Sequence, residues 1–71
     1  MPVPEMQRVE SSAVARIGYD AELGEAYVEY LGGDLYVYEG VPVDVFEGLV
    51  NAESKGAFVN AVIKEYPFRE V

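Results

Sequence analysis

The chain has 71 residues, half of them apolar, with six Tyr, three Phe, no Cys, no His and a net charge of −8. That length supports a single core of marginal stability, and the composition excludes disulfide staples and a zinc site built from Cys or His. Stability must then come from efficient burial of the rings or from self-association.

Residues 1–5, with Pro2 and Pro4, read as an N-terminal tail ahead of one domain over 6–71. The stretch before Pro4 has neither a basic region nor an apolar run, so no signal peptide is expected. No segment approaches the apolar length of a membrane span, and the location expected is cytoplasmic. Residues 6–9 suit a short edge strand. Ser11 and Ser12 mark a turn into a strand over 13–19, where strict alternation puts Ala15, Ile17 and Tyr19 on one face and Val14, Arg16 and Gly18 on the other. Residues 20–25 supply turn chemistry around Asp20 and Gly24. A strand over 26–31 follows, with Val28 and Tyr30 on one face and Tyr27, Glu29 and Leu31 on the other. Gly32, Gly33 and Asp34 close a hairpin into a strand over 35–39.

Beyond Gly40 the period changes from 2 to 3.6. Pro42 suits the first turn of a helix, Asp44 and Glu47 suit its N-terminal dipole, and Val45, Phe46, Leu49 and Val50 share a face. Gly48 inside that helix costs about 1 kcal/mol against Ala, which points to close packing at that position. Ser54 reads as the N-cap of a second helix through Lys64, with Phe58, Val59, Val62 and Ile63 apolar and Pro67 beyond its end. The expected fold is α+β: a three-stranded, possibly four-stranded, antiparallel meander followed by two helices packed on one face. Its core should hold Ile17, Tyr19, Val28, Tyr30, Tyr36, Tyr38, Phe46, Leu49, Phe58, Val62 and Ile63, with Tyr66 and Phe68 packing back.

In this order the residues resemble the KTSC domain family, a short domain named for the C-terminal region of some lysyl-tRNA synthetases and also found as a free-standing protein. The resemblance rests on Ser11-Ser12, Ile17-Gly18-Tyr19-Asp20, Val28-x-Tyr30 and Tyr36-x-Tyr38. It continues through Val41-Pro42, Phe46-x-x-Leu49, Ala52-x-Ser54-Lys55-Gly56-x-Phe58, Asn60-x-x-Ile63 and Tyr66-Pro67. It runs from about Val9 to the C-terminus. No single piece is specific, but the ordered set is. The resemblance implies an association with RNA through the synthetase connection, which is an analogy of fold. The family's second helix often carries several basic residues, whereas Ala57, Ala61, Val62 and Glu65 stand here, leaving Lys55, Lys64 and Arg69.

Electrostatics oppose that association. Between Arg16 and Lys55 stand Asp20, Glu22, Glu25, Glu29, Asp34, Glu39, Asp44, Glu47 and Glu53 without one basic residue, and the isoelectric point is near 4.2. Affinity for nucleic acid depends on Lys and Arg displacing counterions. The candidate nucleic-acid or anion contacts are Tyr36, Tyr38, Ser54, Lys55, Gly56 and Lys64: a ring pair for stacking, and a helix start with one lysine. The ordinary readings are that the tyrosines are core and Ser54 only a cap. No P-loop spacing, calcium loop, metal site, cofactor motif or catalytic set is found, and the chain is expected not to be an enzyme.

Val14, Tyr27, Leu31, Leu35 and Val37 point away from the helices, where a solvated sheet normally shows polar residues. They form the candidate partner surface, unless the N-terminal segment covers them. The leading expectation is a protein-interaction or self-association module, then an RNA-associated domain, then an acidic nucleic-acid mimic.

Overall fold

The structure, a computed structural model, describes residues 4–71. Five antiparallel strands lie side by side in chain order: β1 (Met6–Arg8), β2 (Val14–Asp20), β3 (Glu25–Tyr30), β4 (Leu35–Tyr38) and β5 (Phe68–Glu70). Helices α1 (Val43–Asn51) and α2 (Lys55–Ala61) and a 3-10 turn (Ile63–Glu65) fall between β4 and β5. The expected meander is thus present with its N-terminal edge strand, and a fifth strand is added at the other edge. Three residues after Pro67 are too few to show a period. β5 is tied down at both ends, where Glu39 N–H donates to the Pro67 carbonyl at 2.8 Å and Val71 N–H to that of Leu35 at 2.9 Å. Of the expected tail, residues 1–3 lie outside the described residues, and Pro4 and Glu5 belong to no strand or helix.

The turns follow the residues that signal them. Ser11 Oγ accepts from Ala13 N–H and Val14 N–H, both at 3.1 Å. Asp20 Oδ1 accepts from Glu22 and Leu23 N–H at 3.0 and 3.1 Å, and Gly24 takes φ 67°, a left-handed conformation that L side chains rarely adopt. Gly33, at φ 102°, turns the β3–β4 hairpin.

The pairing of β2 with β3 shifts between Val14 and Arg16. Such a bulge adds one residue to β2 and reverses the facing of everything beyond it. Val14, opposite Tyr30, therefore joins Ile17 and Tyr19 on the helix side and is fully buried. This corrects the outward placement that strict alternation gave it.

Val14, Ile17, Ala26, Val28 and Tyr38 from the sheet meet Leu49, Val59, Ile63 and Val41 in one cluster. Tyr19, Tyr30, Tyr36, Phe46, Phe58 and Tyr66 are partly buried around it. Val62 is not in that cluster. α2 stops at Ala61, short of Lys64, and Val62 leaves helical geometry at φ −123°, so that Ile63 becomes the fully buried residue. Pro42 stands one position before the first turn of α1, as its N-cap, and its carbonyl accepts from Val45 and Phe46 N–H.

Gly48 packs against Phe58: a Cβ there would lie 2.9 Å from Cζ and 3.2 Å from Cε2. Overpacking costs about 1–3 kcal/mol, more than the about 1 kcal/mol that alanine gains in a helix. Gly48→Ala is accordingly expected to lower the unfolding free energy in urea by about 1 kcal/mol. A more stable G48A would show that the Phe58 ring moves aside freely.

Candidate functional site

Only part of the expected partner surface is open. Val14 is in the core, as above. Tyr27 and Val37 do face away from the helices, yet they are 6% and 0% exposed. Met6 lies across Gly18, the β2 partner of Tyr27: a Cβ on Gly18 would stand 2.5 Å from Met6 Sδ and 2.9 Å from the Glu5 carbonyl. On the other side Arg69, paired with Val37, reaches across β4 to Glu25 at 3.2 Å and Glu39 at 2.7 Å. The outer face is thus largely closed within the chain by β1 and an arginine strap. Leu35 is half-buried, and Leu31 alone of the five is well exposed, at 58%.

The helix-start residues serve the fold. Ser54 Oγ accepts from Ala57 N–H at 3.2 Å and caps α2. Lys55 Nζ donates to the carbonyls of Val50 and Ala52 at 2.9 and 2.6 Å, placing its charge on the negative end of α1. Gly56 sits against Ala13, 3.2 Å from where a Cβ would begin. Ser54, Lys55 and Gly56 are therefore joined neither to the tyrosines nor to one another as a ligand cradle.

Tyr36, Tyr38 and Lys64 are brought together. With Tyr30, Asp34 and Phe68 they line a cleft of about 380 Å³ on the helix side of β4 and β5. The register sets this arrangement. Val28 opposes Tyr36 and Ala26 opposes Tyr38 across β3, while Phe68 opposes Tyr38 across β5. Tyr36 touches three rings, edge-on to Tyr30 at 5.6 Å and tilted or stacked on Phe68 at 5.4 Å and Tyr38 at 6.3 Å. Tyr38 is the floor, at 2% exposure, and Phe68 the outer lip, at 59%.

Below the rim the Tyr30 and Tyr38 hydroxyls are hydrogen-bonded at 2.8 Å. Burial, then that hydrogen bond, pushes the Tyr30 phenol well above its ordinary range. The Tyr36 phenol is raised too, first by Glu70 and then by burial and Asp34, so two carboxylates act on this half-buried ring. The cleft is thus an aromatic wall with an acidic rim and one lysine. Phe68 and Asp34 were not anticipated as lining it. An apolar residue directly after the Pro67 stop was the available signal for Phe68.

A five-stranded sheet with two short helices on one face, and an aromatic cleft left open beside them, defines a small α+β domain. The KTSC domain model matches residues 10–68, and the chain belongs to the KTSC domain family. A protein of Tsukamurella paurometabola is 46% identical over 59 residues, covering 83% of this chain and 88% of its own. An uncharacterized protein of Stutzerimonas stutzeri is 41% identical over 66 residues, covering 90% and 93%. The crystal structure of a KTSC domain protein from Yersinia pestis superposes with a TM-score of 0.89 at 33% identity, covering 94% of this chain and 96% of that one.

A raised folded pKa means that the folded state holds a proton the unfolded chain has released. The contribution of Tyr30 is therefore whole below the ordinary phenol value of 10.0 and is lost as pH climbs above it. Tyr30→Phe, which removes the bond to Tyr38, is expected to cost about 1 kcal/mol at pH 7. In urea melts the gap between wild type and Y30F should narrow above pH 10.0, where only the wild type loses the Tyr30 contribution. A gap that widens there would contradict this reading of the hydroxyl pair.

Proposed function

We propose that this KTSC domain is a protein-interaction module, that the aromatic cleft is its recognition surface, and that its partner presents a basic segment. The observation that carries this is the pairing of the half-buried Tyr36 ring and the exposed Phe68 ring with Asp34 and Glu70 in a chain of net charge −8. A guanidinium or ammonium over a ring gains about 0.5–1 kcal/mol at an exposed site. The acidic coat raises the encounter rate with basic partners and disfavours acidic ones.

The RNA reading has less to stand on. A positive patch would have to join Lys55, Lys64 and Arg69, but Lys55 is engaged with α1 carbonyls and Arg69 is held by Glu25 and Glu39 on the opposite face. Lys64 alone remains beside the rings. Mimicry of a nucleic acid needs carboxylates ranked on one face. Instead Glu25 and Glu29 engage arginines of the outer face, Asp44 and Glu47 ride on α1, and Glu53 lies in the link to α2.

A tri-arginine peptide titrated into the labelled domain is expected to shift the signals of Tyr36, Asp34 and Phe68. Tyr36→Ala should weaken that binding by about threefold, as the loss of one exposed cation–ring contact predicts. Lys64→Ala separates the two readings by sign: removing a like charge leaves tri-arginine binding equal or tighter, whereas an RNA site would lose tRNA binding. Shifts spread evenly over the acidic surface, or tRNA binding abolished by K64A, would overturn the proposal.

A further inference from the structure

The outer face carries two neighbouring arginines of which the fold pairs only one with a carboxylate. Arg8 on β1 and Arg16 on β2 are direct cross-strand partners, and like charges so placed destabilise a sheet. They are two of the five basic residues in the chain. Arg16 bonds Glu29 through Nε, and its two terminal nitrogens have no partner among the described residues. Arg8 makes no ion pair among the described residues. Both line a groove of about 400 Å³ whose other walls are Met6, Val9, Ala15 and Leu31 and the carboxylate of Glu29, which is bound to Arg16. The groove lies across the sheet from the aromatic cleft, because Arg16 and Glu29 face away from Tyr30 and Tyr36.

We propose that this groove binds a carboxylate carrying a short aliphatic chain, the carboxylate bridging Arg8 and Arg16 and the chain lying on Met6, Val9 and Leu31. The planar guanidinium fork matches a carboxylate, and an anion between two such forks turns their repulsion into attraction. The groove's volume is within the range of small-molecule sites, about 300–1,000 Å³, and its walls beyond the two arginines and Glu29 are the apolar Met6, Val9, Ala15 and Leu31. The chain's net negative charge does not prevent this. Exposed charges more than about 8 Å apart are largely screened at physiological ionic strength, and the carboxylate within the groove wall, Glu29, is already bound to Arg16. Charges on an edge strand also discourage strand-to-strand aggregation. That role needs neither a groove nor a second arginine opposite the first.

The test is a titration of the isotope-labelled domain with hexanoate, alongside acetate, 1-hexanol and inorganic phosphate. Hexanoate is expected to give saturable shifts at Arg8, Arg16, Met6 and Leu31, with acetate and hexanol each binding several-fold more weakly. Arg8→Ala, at an exposed edge, should weaken hexanoate about tenfold, as expected for one charge-assisted hydrogen bond, while leaving the thermal midpoint equal or slightly raised as the repulsion with Arg16 is relieved. Arg8→Lys should fall between wild type and R8A. No saturable shift at these residues, equal binding by R8A, or phosphate binding more tightly than hexanoate would overturn the assignment. In the first two cases Arg8 is an edge guard only.

Discussion

Two short helices cannot roof five strands, and the open parts of this protein follow from that mismatch. α1 and α2, of nine and seven residues, are about 14 and 10 Å long at the α-helical rise, while five strands span about 19 Å across the sheet. The helical layer is anchored toward β2, where Phe46 stacks on Tyr19 at 4.9 Å and Gly56 abuts Ala13. At the β4–β5 end the sheet covers itself with its own rings. Tyr38 is sealed by its neighbours, but Tyr36 stays half-buried and Phe68 exposed, both opening onto the cleft that Lys64 and Asp34 also line. This half-wet aromatic wall is the feature on which the proposed function rests.

The bulge in β2 decides what the other face looks like. By turning Val14 inward it completes the core beneath α2 and sets Arg16 on the outside, beside Glu29 and opposite Arg8. Ion pairs then do for the outer face what helices do for the inner one. Arg69 straps β5 to Glu25 and Glu39 across Val37, and β1 lays Met6 over Gly18. These bridges are exposed, so each contributes little by itself. Their effect is to leave two small grooves of opposite character, acidic and aromatic on one side, basic and aliphatic on the other.

Much of this architecture was legible in the residues, and the exceptions have physical causes. Gly33 between β-rich runs, Asp20 ahead of Gly24, and Ser54 ahead of a 3.6-residue period each encode a local hydrogen-bonding solution, and each is realised. Family membership was legible in the order of motifs. β5 was not, because three residues are held by backbone bonds from Glu39 and Val71 rather than by any pattern of their own. Val14 was misplaced because a bulge breaks the alternation on which facing is inferred. The closure of Tyr27 and Val37 depends on Arg69, more than thirty residues away in the chain, and on Met6. Of the residues expected as nucleic-acid or anion contacts, Tyr36, Tyr38 and Lys64 share one cleft, while Ser54, Lys55 and Gly56 cap and pack the helices. Phe68 was expected to pack back, and it does so as the lip of the cleft rather than within the core.

The openness of the ring row in the free domain is the claim on which the functional account stands, and solvent access to individual rings measures it directly. With a soluble paramagnetic agent in an NMR experiment on the isolated domain, the ring signals of Tyr36 and Phe68 should broaden strongly, while those of Tyr38 and the methyls of Ile63 and Val59 stay sharp. If Tyr36 and Phe68 were as protected as Tyr38, something already covers that end of the sheet. No recognition surface would then be available there.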